Sequence, residues 1–397
     1  DSLGIVTARS GINMSGGQLL VGTGVTIGVA GIATFRSGRI DLGDALLNTS
    51  IGELAGDAHT TGTKNIAVGS NALSANTTGQ QNTAVGYNAL VANTTADYNT
   101  AIGEGSLAAN TTGANNTAVG RSALVSSTTA SNNTALGYAA LSENTTADNN
   151  TAVGYAALTA NTTGNSNVAV GKDALIANTT GARNTAIGID ALTTATTVND
   201  NTAVGSNALN QNTTGTENVA VGANSLDNNT TASYSTAVGY EALGANTTGG
   251  NNSALGSYAL DANTTGQHNS ALGSYALTNN TTADGNVAVG YYASLANTTG
   301  TKNTAVGAYA LDAVTTTGTH TAIGYQSLSA NTTGAQQTAC GAYALAGNTT
   351  GTQNVAIGWG AINANTTGDY NVALGFAALY NGSGGGSGNI AIGRYSL

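Results

Sequence analysis

Proline is absent from this 397-residue chain, cysteine and tryptophan occur once each, and charged residues make up only 7% of it, against about a quarter of an ordinary globular sequence. Each scarcity excludes something. The single cysteine, Cys340, leaves no intrachain disulfide and no cysteine-rich zinc site. It stands where other copies of the repeat described below carry Val, Ile or Leu, so it reads as a small hydrophobe. The 9 Lys and Arg residues are scattered from Arg9 to Arg394 and the net charge is -10. Nucleic acid is therefore not an expected partner, because a phosphate backbone is held by grouped cations. No apolar run approaches the roughly 20 residues of a membrane span, so no membrane insertion is expected. The N-terminal "DSLGIVTARSG" has neither the basic nor the apolar block of a signal peptide. Disorder would bring high charge and few β-branched residues, whereas here Val, Ile and Thr are abundant and the polar share is mostly Asn, Thr and Ser.

What fills the chain is repetition. The stretch "NTAVGYNALVANTTADY", Asn82 to Tyr98, is followed at once by "NTAIGEGSLAANTTGAN", Asn99 to Asn115. With the leading Asn as position 1, copies begin every 17 residues from Asn48 to Asn371, without insertion. Loops of globular domains and helical arrays absorb insertions; rungs stacked directly on one another do not. The period is also too short for helix-pair or propeller-blade repeats.

Within a unit, positions 2 and 4 alternate around Ala at position 3, as in Val168 and Val170 or Thr185 and Ile187, which predicts a short strand. Gly at position 5, such as Gly86 or Gly205, suits a backbone corner. Positions 6 to 9 read as a second strand carrying the recurrent Leu (Leu90, Leu107, Leu124), and "ANTTG" as a turn with Asn and Thr ladders at Asn93 to Thr95. The expected fold is all-β, a parallel β-solenoid of 17-residue coils.

In this reading the core is the position 4 aliphatic, such as Val85, together with Leu90. Those two contribute roughly 1.5 to 3 kcal/mol each, against an ordering cost on the order of 25 kcal/mol per coil. A coil cannot stand alone, and association is expected as well as stacking. The small Ala84 and Ala89 offer a smooth face for that contact, which points to a homotrimer of solenoids side by side.

Three segments follow from the register. Residues 1–47 lie outside it and read as a β-rich attachment or capping segment, 48–388 as the solenoid, and 389–397 as a truncated final coil. "NGSGGGSG", Asn381 to Gly388, inserts one residue. No terminal cap is visible, so a processed product or part of a longer chain is expected.

The segment "NTAVGYNALVANTTADYNTAIG" resembles the repeat arrays of bacteriophage tail-fibre proteins, and related arrays occur in bacterial surface proteins. "NVAVG", "NIAVG" and "NTAIG" are similar to the motif of trimeric autotransporter adhesin heads, which are left-handed parallel β-rolls. The resemblance spans Asn48 to Leu397; "VGTGVTIGVAGIATF" more loosely resembles fibre proteins of cyanobacterial phages. The unit is longer than the adhesin repeat, and the adhesin stalk, membrane anchor and chaperone domain are missing. The resemblance implies a trimeric fibre, in a virion or on an extracellular surface, acting in host attachment beside other fibre or baseplate proteins. A phage fibre is preferred to a bacterial adhesin because signal and anchor are lacking; a self-polymerising extracellular filament is the further alternative.

No catalytic constellation is expected, since identical coils cannot supply different roles at one spot, and His59, His268 and His320 fall far apart in the register. No cofactor or metal is implied. Acidic residues at position 16 (Asp97, Asp148, Asp284, Asp369) and position 7 (Asp173, Asp190) read as solvated turn charge, without the dense pattern of calcium-binding solenoids. Asn-Thr-Thr matches a glycosylation sequon, but glycans on successive coils would crowd at about 4.8 Å, and a ladder explains it better. An ice-binding Thr array needs two outward columns two residues apart, whereas adjacent Thr residues in a strand point opposite ways. Tyr gathers at positions 6, 7 and 17. The clusters Tyr291-Tyr292 and Trp359-Tyr370 are the candidate contacts for a host glycan or protein receptor.

Overall fold

A computed structural model describes residues 46–381 and 385–397; most of the segment 1–47 lies outside them. The chain divides into two compact units, Asp1–Leu42 and Gly43–Leu397, and only the second is described below. Among the described residues its 21 strands run from β1 (Thr49–Ile51) and β2 (Ile66–Val68) to β20 (Val372–Leu374) and β21 (Ile390–Ile392), each of three residues. Every strand pairs in parallel with the next, so Thr49 faces Ile66 and Ile66 faces Thr83. The unit is a β-solenoid with one strand per coil. The step lengthens once, where Val372 faces Ile390 across the insertion.

Glycine at position 5 ends each strand. Gly205 has φ 139°, and a β-carbon there would stand 2.4 Å from the carbonyl oxygen of Gly222, one coil on. Neither the torsion nor the space admits a side chain.

Positions 6 to 9 are not a second strand. They form turns, because positions 7 and 9 are left-handed: Asn88 has φ 55° and Leu90 φ 50°. A left-handed residue reverses the pleat and cannot extend a strand. Inter-coil bonding persists nonetheless, with Leu90 N–H donating to Ser106 O at 3.0 Å and Asn88 N–H to Ser70 O at 3.1 Å.

The strand faces the other way from expectation. Ala at position 3 is fully buried, as are Ala89 and Leu90, while Val85 is half-buried and Ile102 and Leu136 are 40% and 45% exposed. The interior of a 17-residue coil is thin, and the Leu of the facing turn already fills it. Only a methyl fits opposite. The proposed Ala84 and Ala89 contact between chains is therefore inside one chain, and the aliphatics of position 4 point outward.

Two asparagine columns flank this core. Asn82 N–H donates to Asn65 Oδ1 (2.9 Å), and Asn82 Nδ2 donates across its own coil to Ala96 O (2.8 Å). Asn93 Nδ2 donates to Asn76 Oδ1 (2.8 Å) and to the same Ala96 carbonyl (3.1 Å). Buried amides are stable only when so satisfied. Asn93 is fully buried, so the sequon asparagine is a ladder residue, out of reach of a glycan-transferring enzyme.

Candidate functional site

Coils stacked in register turn any residue type that recurs at one position into a column. From Tyr240 onward this produces a row of aromatic rings at positions 6 and 7. Tyr258, Tyr275, Tyr292 and Tyr309 stack nearly parallel, with centroids 5.0, 5.1 and 5.6 Å apart. Tyr240 meets its start edge-on at 5.4 Å. Tyr325 and Tyr343 continue it edge-on towards Trp359, which stacks on Phe376 (4.9 Å) and Tyr380 (6.1 Å).

The candidate pair Tyr291 and Tyr292 is in contact, T-shaped at 4.1 Å. The Tyr291 phenol is pushed up to about 12, first by its hydrogen bond with Tyr292, then by desolvation and the neighbouring phenols. Trp359 and Tyr370 do not form a pair of this kind. The ring partners of Trp359 are Tyr343, Phe376 and Tyr380, while Tyr370 sits at position 17, left-handed and 62% exposed, just before its strand.

Phe376 and Tyr380 were not singled out from the sequence. Phe376 could have been found by the 17-residue step from Trp359. Tyr380, at position 10, could not, because only the turn brings that position beside position 6.

The stack limits what the row can do. Rings from Tyr258 to Tyr309 cover one another's faces, so edges and hydroxyls are what they present; a sugar needs an open face. Openings lie at the far end, where Trp359, Ala377, Tyr380, Asn381, Tyr395 and Leu397 line a hollow of about 380 Å³. A second, of about 330 Å³, lies among Tyr343, Trp359, Asn363 and Tyr380. Both combine aromatic walls with an amide.

The position 16 acids have a structural use. Asp97 Oδ1 accepts from Gln80 N–H, Asp284 Oδ1 from Gln267 N–H and Asp369 Oδ1 from Thr352 N–H, each at 2.7 Å. They tie a coil to its predecessor instead of standing as free turn charge. A charged acceptor strengthens such a bond.

Thr94 is half-buried and Thr95 exposed, so both threonine columns reach solvent. They lie in a bend, where strand alternation does not apply, and Thr94 Oγ1 is committed to Thr111 O at 3.2 Å. Asp227, Glu241 and Asp261 border a polar hollow around Gly244. Burial raises the carboxyls of Asp227 and Asp261, and Glu241 adds to the rise at Asp261. Among the described residues no group of three or more His, Cys, Asp or Glu is placed to hold a metal ion, and no helix is long and apolar enough to cross a membrane.

No protein-family model matches the chain, and no curated protein matches it significantly.

Proposed function

We propose that this protein is a structural fibre, a stiff rod without enzymatic activity that holds an attachment element away from a virion or cell surface. The observation that supports this reading is the unbroken register: each strand meets the equivalent residues one coil on, from Thr49 to Ile392. A coil rise of about 4.8 Å over 21 strands makes the unit Gly43–Leu397 a rod roughly 100 Å long. Regular coils also make one spot chemically like the next, which suits a spacer better than a catalyst.

The repeat resemblance extends the proposal to a trimeric phage fibre in host attachment, in a virion or at an extracellular surface. Receptor contact is assigned to Tyr291, Tyr292 and Trp359 of the aromatic row and to the separate, exposed Tyr370, as the residues to replace. Electron microscopy should show discrete rods of roughly 100 Å; filaments of indefinite length would replace the spacer by a polymer. Binding on a glycan array that survives alanine at all four residues would remove the receptor assignment.

A further inference from the structure

Among the described residues, nothing lies on the strand face that points outward. Its two columns, positions 2 and 4, carry Thr, Ser, Val or Ile at one and Val, Ile, Leu or Cys340 at the other, with no charged residue in any of the 21 strands. The side chains are prominent: Leu255 is 49% exposed, Leu272 46% and Leu374 47%. Charges sit on other parts of the coil, at Asp97, Asp173 and Arg183.

The extent of the face decides its meaning. A strip roughly 100 Å long and about 10 Å wide covers on the order of 1,000 Å². Position 4 is apolar in every strand and position 2 carries mostly Thr, and the strip matches the roughly 800 Å² that each partner buries in a standard interface.

We propose that this face is where copies of the chain assemble, each laying its strand columns against those of a second copy. The inference rests on the fibre reading and supplies the surface for the association. The period argues for a copy over an unrelated protein: only a partner with the same coil rise stays matched along every rung. A parallel arrangement sets position 2 of one chain beside position 4 of the next. Ser253 and Ser270, the small residues of their column, then meet Leu255 and Leu272, the large ones. In the single chain these four residues border a shallow hollow of about 260 Å³. Cys340, exposed in the single chain, becomes covered.

Light scattering of the intact chain tests this, with Cys340 as an internal reporter. The native chain should have a mass of two or three chains, and its thiol should react with a soluble disulfide reagent about tenfold or more slowly than in a dissociated variant. V204D/V221D should give the mass of one chain, a fast thiol and an unchanged circular dichroism spectrum. T163D/T180D, on exposed position 14, should change neither mass nor thiol rate. If V204D/V221D does not fold, the native thiol decides alone: a fast thiol in a sample of multimeric mass overturns the surface. A native mass of one chain, with rods still visible by microscopy, overturns assembly and leaves the fibre reading standing. Absence of rods overturns the fibre reading itself.

Discussion

Coils 252–285 and coils 286–353 share their strand register but have different interiors. In the first stretch Leu260 and Leu277 fill the core, and Asn280 Nδ2 donates to Asn263 Oδ1 at 2.8 Å within an unbroken column. In the second, Ser294 replaces the core Leu with its Oγ buried and unpartnered, Val314 replaces a ladder Asn, and His320 and Gln337 replace position 1 Asn. Strand register is unaffected: Thr304 faces Thr321 and Thr321 faces Thr338. Register therefore resides in the main chain and the glycine corner, and the interior side chains set how stable each coil is. The ladder accepts any acceptor of suitable reach. His320 N–H donates to Asn303 Oδ1 (3.0 Å), Gln337 N–H to His320 Nδ1 (3.4 Å) and Asn354 N–H to Gln337 Oε1 (3.1 Å).

The largest effect should come from the corner that both stretches share. A β-carbon at Gly273 would lie 2.6 Å from Gly290 O, at φ 137°, so Gly273→Ala should cost about 3 kcal/mol or more. Limited proteolysis should then cut the chain near that coil.

Leu277→Ala should cost about 2 to 5 kcal/mol by thermal or denaturant unfolding. Ser294→Leu should move the other way, by about 1 to 3 kcal/mol, as an orphaned hydroxyl gives way to apolar packing. If both substitutions destabilise alike, the second stretch is packed around its serine and the comparison fails.

Acid should separate the two stretches. Burial lowers the His320 imidazole to about 4, and its Nδ1 accepts a hydrogen bond only when unprotonated. In the unfolded chain it titrates near 6.5. Above that value both states are neutral and nothing is lost. As pH falls from about 6.5 to about 4 the unfolded state takes up the proton first, so stability declines, by at most about 3 kcal/mol. Melting curves of the native chain should show this loss, and His320→Asn should reduce it by about that amount.

The smallest effect should come from repairing a lapse elsewhere in the column. Asn178 Oδ1 is buried without a partner because the next coil offers Ala195. Ala195→Asn should stabilise by about 1 kcal/mol, read as a small rise in melting temperature.

Much of this was legible in advance because a fixed period leaves parallel stacking little freedom. The strand at positions 2 to 4, the glycine corner, the Leu90 column and the Asn93 ladder all follow from it. The Tyr291-Tyr292 contact was legible too, as adjacent residues on one turn. The contact of Trp359 with Tyr380 was not, since Tyr380 reaches it through a turn whose torsions the composition does not reveal.

By itself the sequence determined the coil: its length, its corner, its ladders and the parallel register that a step of 17 residues imposes. Which face of the strand is the inside was decided only by the tertiary structure. Alternation defines two faces and leaves open which one is buried. The choice depended on what lies opposite, and there the left-handed turn at positions 7 and 9 drives Leu90 into the core, leaves room for a methyl alone, and turns Val85 outward.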